Sequence, residues 1–210
     1  MLWIVAALPA GAGAWMQEHR KGFLSFSGFY DETERFGGTI YLEYGLRPKL
    51  TIGAKVDASM VYGQVPNGSG FVFLRKPIPI ERHEFKIAYE IGLGSTFAET
   101  YEPLLHTALS YGRGIKAWNK YGWIAIDGSV EWALHDGSDT RKLDTTVGLS
   151  VTDRFKVMMQ VFVSDTDGNT TTTLAPSVVW QPRPTAPSFV VGIEDKDGIL
   201  ALKLGMWRSF

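Results

Sequence analysis

Three residue types in this sequence could together hydrolyse an ester: a serine nucleophile, a histidine base and a carboxylate that orients the histidine. One such set is His106, Ser110 and Asp127. His106 and Ser110 lie four residues apart in a segment with the alternating pattern of a β-strand, which places them about 13 Å apart along the strand. Because that separation is too long for a hydrogen bond between base and nucleophile, we predict that the chain is not an enzyme.

Two acidic stretches that contain glycine, "DTDGN" at 165–169 and "DKDG" at 195–198, have the composition of calcium-binding loops. An EF-hand loop has glycine at its sixth position, whereas the glycine of 165–169 is fourth, and Asp-Gly is a strong hairpin-turn signal. No helical pattern follows the glycine-rich stretches 92–97 and 112–114, so they do not predict a phosphate-binding loop. The chain has no cysteine, which excludes disulfides and zinc–thiolate sites. The sequence therefore predicts neither a metal nor a cofactor.

The charges are nearly balanced, with 21 lysine and arginine residues against 22 aspartate and glutamate residues. A chain with this balance lacks the electrostatic footprint of a nucleic-acid-binding protein, so we expect no nucleic-acid partner. The 23 glycines and the 13% of aromatic residues favour strands and turns over helices.

Apolar residues recur at every second position almost throughout the chain, which is the period of a β-strand. The alternation and the turn signals between the segments predict twelve strands, at 22–30, 37–46, 49–62, 69–76, 83–94, 103–112, 121–134, 142–151, 154–164, 170–181, 188–194 and 198–210. The connections alternate between basic, proline-rich ones and acidic, glycine-rich ones. An up-and-down antiparallel order of the strands puts these two kinds at opposite ends, and an even strand number brings both termini to one end.

One face of the predicted strands is apolar and the other is polar. This pattern fits a soluble barrel with the apolar face inside, and it fits a membrane barrel with the apolar face towards lipid. Two features favour the membrane barrel. Several strands are long enough to cross a bilayer, and large rings on the apolar faces lie near strand ends, as in the aromatic girdles of membrane barrels. The predicted girdle residues are Tyr44, Tyr111, Trp132, Phe155, Trp180 and Phe210.

In a membrane barrel the polar face lines the interior. The charged and titratable residues that we predict to line the lumen are Glu43, Lys55, Asp57, Lys86, Glu90, His106, Asp127, Glu131, Asp144, Lys156, Glu194 and Lys203. Acids and bases are mixed in this set, whereas a strongly selective pore carries a ring of one sign. The mixture predicts either ion pairs that fill the interior or a narrow, weakly selective pore.

The first residues, "MLWIVAALPAGAGAW", have the apolar run and the Ala-x-Ala-type cleavage site of a secretory signal peptide, although no basic residue precedes Arg20. The apolar run is too short for a transmembrane helix. We predict a signal peptide at 1–14 and a barrel at 15–210.

The final stretch, "LALKLGMWRSF" at 200–210, alternates apolar residues and has phenylalanine last, with Arg208 as the one departure. It resembles the C-terminal strand of Gram-negative outer-membrane β-barrel proteins. The resemblance implies an all-β, up-and-down transmembrane barrel in the bacterial outer membrane, surrounded by lipid and with both termini in the periplasm. It also implies that the barrel-assembly machinery reads the last strand, through Leu202, Leu204, Met206 and Phe210.

Four functions remain open on the sequence. The favoured one is a narrow passive pore for small solutes. The alternatives are a closed structural or surface-interaction barrel with a filled polar lumen, an outer-membrane lipid hydrolase, and a soluble exported barrel that binds a ligand. The hydrolase is disfavoured because the outer-membrane phospholipases carry His-x-Ser on one strand, whereas this sequence has His106-Thr107-Ala108.

Two further expectations concern the barrel itself. Residues 199–208 should pair antiparallel with residues 22–30 to close it. The connection at 95–102 is the candidate for a loop that bends into the lumen.

Overall fold

The computed structural model describes residues 13–80, 84–98, 100–135 and 137–210. Within these ranges the chain forms twelve strands: β1 (Gly22–Asp31), β2 (Arg35–Arg47), β3 (Leu50–Val61), β4 (Asn67–Ile78), β5 (Phe85–Phe97), β6 (Tyr101–Ala117), β7 (Lys120–Ala133), β8 (Asp139–Ser150), β9 (Phe155–Thr166), β10 (Asn169–Trp180), β11 (Ser188–Lys196) and β12 (Ile199–Ser209). The prediction of an all-β chain with twelve strands is confirmed. No helix in this part of the chain is long and apolar enough to cross a membrane.

Each strand pairs antiparallel with its neighbours in the chain, and β1 pairs with β12 to close the barrel. The closing ladder runs from Phe23 opposite Ser209 to Asp31 opposite Ala201, so the predicted pairing of 199–208 with 22–30 is confirmed. Closure removes the unpaired edges that the first and last strands would otherwise have. β1 begins and β12 ends at the same end of the barrel, which we call the terminal end. We call the opposite end the distal end.

The hairpin of β6 and β7 is longer than the sequence predicted. The stretch "RGIKAWNKY", interpreted as a connection, continues the ladder as far as Ala117 opposite Lys120. Trp118 and Asn119 form the turn with φ of 48° and 59°, the left-handed conformation that a two-residue type I′ turn requires. The prediction failed here because the turn contains no glycine and its basic residues are typical of a loop.

The connection between β5 and β6 is also shorter than predicted. β5 continues to Phe97, β6 begins at Tyr101, and these two residues are register partners. Most of 95–102 therefore belongs to the wall, and the expected inward bend of this connection is wrong.

The outer face of the wall is apolar and the inner face is mostly polar. Many large apolar side chains on the outer face are exposed, such as Ile40 at 51%, Val72 at 55% and Leu93 at 65%. A continuous apolar surface of this extent is unfavourable in water and marks a contact with another apolar phase. The barrel therefore has the arrangement of a transmembrane barrel, and the soluble alternative, with the apolar face inside, is wrong.

The six aromatic residues of the predicted girdle lie on the outer face. Near the terminal end are Tyr44, Tyr111, Phe155, Trp180 and Phe210, and near the distal end is Trp132. Gly22 and Phe210 exchange backbone hydrogen bonds of 2.7 and 2.9 Å. A β-carbon on Gly22 would come within 2.3 Å of the Phe210 ring, so the absence of a side chain there makes room for that ring.

The middle of β12 tests the contact with lipid. Leu204 lies at the middle of this strand on the outer face, and Leu200 lies near its distal end. We expect Leu204→Arg to lower the free energy of unfolding by about 2–4 kcal/mol, and Leu200→Arg by about 1 kcal/mol or less, because a charge costs most at the bilayer midplane. Urea titration of the protein folded in lipid vesicles measures both. Equal, small losses for the two variants would contradict lipid contact along β12.

Candidate functional site in the barrel lumen

The twelve residues predicted to line the lumen lie on the inner face of the wall. Five of them are buried: Glu43, Glu90, His106, Glu131 and Lys203. Six are half-buried: Lys55, Asp57, Asp127, Asp144, Lys156 and Glu194. Lys86 lies near the terminal end and is exposed. The barrel thus encloses a charged inner surface.

A buried arginine that the sequence analysis missed organises the charges in the terminal half of the lumen. Arg75 is 1% exposed. Its Nε donates to Glu90 Oε1 at 2.7 Å, one terminal nitrogen donates to Tyr41 Oη at 2.6 Å, and the other donates to Glu43. Tyr41 also donates to Glu43, and Gln17 Nε2 donates to Glu43 Oε2 at 2.7 Å. One cation therefore holds two carboxylates, and we call these residues the Arg75 cluster.

The Arg75 cluster satisfies the conditions for burying charge. An ion that leaves water is stable only when it is paired and its hydrogen bonds are made. A planar guanidinium presents five N–H donors in fixed directions, which suits two carboxylates and a phenol at once. The guanidinium also lies 5.2 Å from the centroid of the Phe73 ring, a cation–π distance. The cluster therefore joins β2, β4 and β5 rigidly on the inside of the wall.

The residues around Arg75 explain why the sequence did not predict that it lies in the lumen. On β4 the inward positions include Phe71 and Phe73, which are 5% and 2% exposed, so both faces of this strand have large apolar residues. Without a clean alternation, the sequence does not indicate which face a single charge takes. The available signal was the arginine itself, since a charge in a mostly apolar strand needs a buried acidic partner.

His106 and Ser110, the residues of the hydrolase hypothesis, both point inward but belong to different register rows. His106 lies opposite Glu131, whereas Ser110 lies opposite Asp127. His106 Nε2 lies 3.7 Å from Glu90 Oε2, so the imidazole faces the Arg75 cluster. Its Nδ1 has no hydrogen-bond partner among the described residues, and Ser110 lies beside Asp127 instead. The structure therefore does not join this base to this nucleophile.

Further ion pairs lie along the inner wall in the distal half of the lumen. They join Lys55 to Asp57 at 3.1 Å, Lys142 to Glu131 at 2.5 Å, and Lys203 to Glu194 at 2.8 Å. Lys203 Nζ also lies 5.2 Å from the centroid of the Phe162 ring. Since each lysine has an acidic partner, this half of the lumen carries pairs of opposite charge instead of a ring of one sign.

Asp127 and Asp144 lie outside these pairs. They are direct register partners on β7 and β8, and within the described residues neither forms an ion pair. Ser110 lies on the other side of Asp127 and is 1% exposed. The Ser110 hydroxyl and the Asp127 carboxylate are neighbours, and beyond each other neither Ser110 Oγ nor Asp127 Oδ1 has a hydrogen-bond partner in the described part of the chain. We call Ser110, Asp127 and Asp144 the acidic row. No three metal-ligating side chains cluster anywhere in the described ranges.

Two cavities in the lumen meet one another. The central cavity has a volume of about 260 Å³ and is lined by residues of the Arg75 cluster and by the acidic row. The distal cavity has a volume of about 450 Å³ and is lined by residues near the distal end, including Arg35 and Asn67. Lys55, Asp144 and Phe162 line both cavities. A path lined by charged and aromatic side chains therefore leads from the distal end to the centre of the barrel.

Apolar side chains pack together in the terminal half of the lumen, with the segment that precedes β1 against them. The inward residues are Trp123, Ala125, Met158, Val179 and Val190, with Trp15 and Trp207 packed against them. Gly13 lines the central cavity, whereas Ala14 and Met16 line a third cavity at the terminal mouth. The N-terminal segment, residues 13–21, therefore lies between the centre of the lumen and the terminal mouth.

Specific contacts hold the N-terminal segment in place. His19 forms an isolated parallel bridge with Gly45, and the backbone N–H of Gln17 donates to Thr51 Oγ1 at 3.2 Å. The wall begins at Gly22. Of the first residues of the predicted barrel, 15–17 are half-buried inside its terminal end and 18–21 are exposed at the mouth. Of the predicted signal peptide, 1–14, the part before residue 13 lies outside the described residues, and its removal remains a prediction.

Comparison with solved structures identifies the fold. The KdgM porin has a TM-score of 0.67 at 8% identity, over 90% of this chain and 99% of that one. The NanC porin has a TM-score of 0.63 at 11% identity, over 87% and 98% of the two chains. An outer-membrane channel from Pseudomonas putida F1 has a TM-score of 0.57 at 9% identity, over 95% and 98%. No protein-family model and no curated protein matches the sequence. The chain thus has the fold of the outer-membrane β-barrels, as its last strand suggested.

The Arg75 cluster makes a quantitative prediction about stability. We expect Arg75→Met to lower the free energy of unfolding by about 3–5 kcal/mol, because it leaves two buried carboxylates without their cation. Adding Glu43→Gln and Glu90→Gln to the same chain should recover most of that loss. Urea titration in vesicles measures both variants.

Arg113→Met is the matched control, since Arg113 pairs with Glu84 at 3.2 Å on the exposed surface. Its loss should be about 1 kcal/mol or less. An Arg75→Met variant as stable as this control would contradict the role assigned to the cluster.

Proposed function

We propose that this chain is an outer-membrane channel for small solutes, with lipid around its wall and both termini on the periplasmic side. The observation that carries the proposal is the pair of joined cavities, lined by charged side chains, inside a wall whose outer face is apolar. Polar solutes do not dissolve in lipid, so a polar interior enclosed by an apolar barrel is the arrangement that carries them across a membrane.

The structural neighbours support a channel. Two of them are described as porins and a third as an outer-membrane channel, and each matches along almost its whole length. At identities of 8–11% the residues that line the lumen can differ from those of the neighbours. The likeness therefore supports a common fold and does not identify the solute of this chain.

The lumen chemistry favours a narrow, weakly selective path. Three lysines in the distal half are each paired with a carboxylate, and such pairs narrow the path while presenting both signs of charge to a solute. Strong ion selectivity requires a ring of charges of one sign, whereas this lumen has lysines and carboxylates side by side. Small neutral and zwitterionic solutes therefore suit this lumen better than multiply charged ones.

In this proposal the channel is closed at its terminal end until a solute passes. A solute in the central cavity meets Trp123 and Trp207 and the N-terminal segment before it reaches the terminal mouth. Passage in this proposal requires that the N-terminal segment move. This same closure is what favours the second candidate, a closed structural barrel with a filled lumen.

The remaining sequence expectations fit the same proposal. Leu202, Leu204 and Phe210 are half exposed on the outer face, where Met206 also lies, and the assembly machinery would meet them there before the barrel closes. The aromatic girdle would lie at the two lipid interfaces. Removal of residues 1–14 would follow export to the periplasm.

Single-channel recording in planar bilayers tests the proposal. The wild-type protein should give small, infrequent conductance steps, because the terminal end is filled. Trp15→Ala removes a ring that packs on the terminal apolar cluster, so this variant should give larger or more frequent steps.

The matched control is Trp118→Ala, since Trp118 is 87% exposed at the β6–β7 turn and should leave the conductance unchanged. Absence of steps in all three proteins, each shown to be folded by its heat-modifiable gel mobility, would favour the closed structural barrel. Steps of equal size and frequency in wild type and Trp15→Ala would contradict closure by the N-terminal segment.

A further inference from the structure

The acidic row has an arrangement that is unfavourable without a ligand. Asp127 and Asp144 are directly opposite one another on adjacent strands, and both face the central cavity. Like charges in that position repel, and a carboxylate withdrawn from water needs a partner. A cation bound between them would remove both costs.

The basic side chains nearby are engaged elsewhere. Lys55 pairs with Asp57, Lys142 with Glu131, and Arg75 with two glutamates. Of the charged residues that line the central cavity, Glu90, Asp127 and Asp144 are carboxylates, and Lys55 and Arg75 are cations. Because both cations are already paired, the two aspartates of the acidic row favour a positively charged ligand.

Ser110 is an independent sign of a ligand at the same place. It is buried to 99% and lines the central cavity, and beyond the neighbouring Asp127 carboxylate its Oγ has no partner in the described part of the chain. Asp127 Oδ1 lacks any other partner there as well. An unpaired buried polar atom costs free energy, and an ammonium group, with its several N–H donors, would satisfy both oxygens at once.

Aromatic rings that line the central cavity indicate what the rest of the ligand is. Phe71 and His106 stack at a centroid distance of 4.0 Å, and Trp123 and Trp207 line the same cavity. Such rings attract organic cations through their faces and pack against apolar groups. Calcium, by contrast, takes six to eight oxygen ligands, and this row supplies two carboxylates and one hydroxyl.

We propose that the acidic row is a binding site for a small organic ammonium ion that carries one apolar or aromatic group. The carboxylates of Asp127 and Asp144 hold the ammonium, Ser110 Oγ accepts one of its hydrogen bonds, and the aromatic wall holds the apolar group. The proposal rests on the channel function above and names the solute class of that channel.

The N-terminal segment reaches this site. A β-carbon on Gly13 would lie 2.3 Å from Ser110 Oγ and 2.5 Å from Asp127 Oδ1. The predicted cleavage after Ala14 would remove Gly13 and open this side of the row. It would also create an α-ammonium group on Trp15, two residues further along the chain. This group has the same chemistry as the proposed ligand and would compete with it for the acidic row.

Isothermal titration of the cell-processed protein in detergent tests the proposal without any ion flow. The probes are 2-phenylethylammonium and its neutral and anionic matches, 2-phenylethanol and phenylacetate. The amine should bind and the other two should not. Asp127→Asn, Asp144→Asn and Ser110→Ala should each weaken amine binding, the two aspartate changes by about tenfold or more. Asp153→Asn, in the exposed β8–β9 turn, is the matched control and should bind the amine as the wild type does.

The other outcomes overturn the proposal. They are equal binding of the three probes, unchanged amine binding in the folded aspartate variants, and binding of sodium or calcium at the row in place of the amine. Amine binding that occurs only after the α-amino group is acetylated would identify the chain's own N-terminus as the occupant and overturn the solute. A protein that conducts but does not bind the amine overturns this inference alone, and one that binds the amine without conducting overturns the channel alone.

Discussion

Every backbone N–H and C=O group in a bilayer needs a partner within the protein, because lipid offers none. The ladder between β1 and β12 meets that requirement for the two strands that would otherwise be edges. Once the wall is closed, it has an inside and an outside, and the period-two alternation of each strand sends one set of side chains to each. The apolar outer face, the charged lumen and the placement of Phe210 beside Gly22 all depend on this closure.

Closure also determines how charge is held. Inside the wall, an unpaired ion has little water to solvate it, so acids and bases on the same or nearby strands pair along the inner face. The Arg75 cluster is the most buried case, with one guanidinium shared by Glu43 and Glu90. The acidic row differs from these pairs, because Asp127 and Asp144 form no ion pair within the described residues. In our proposal a bound ligand supplies the missing cation.

The strands of this chain could be predicted from the sequence, because the alternation of apolar and polar residues within each strand indicates which side chains lie on which face. The register of β1 with β12 followed from two such patterns. Other features depend on contacts that no local pattern records. Arg75 lies on a strand with large apolar residues on both faces, and its acidic partners are 15 and 32 residues away. The entry of Gly13 into the central cavity has no periodic signal at all, since the segment before β1 is neither strand nor helix.

The central claim is that small solutes cross a membrane through this lumen. Swelling of proteoliposomes in iso-osmotic solutions of small solutes measures it directly. The account predicts swelling faster than that of protein-free liposomes for a small neutral solute, faster still for a small organic ammonium ion, and slower for an anion of the same size. Swelling no faster than that of protein-free liposomes, with the barrel shown to be inserted and folded, would contradict it.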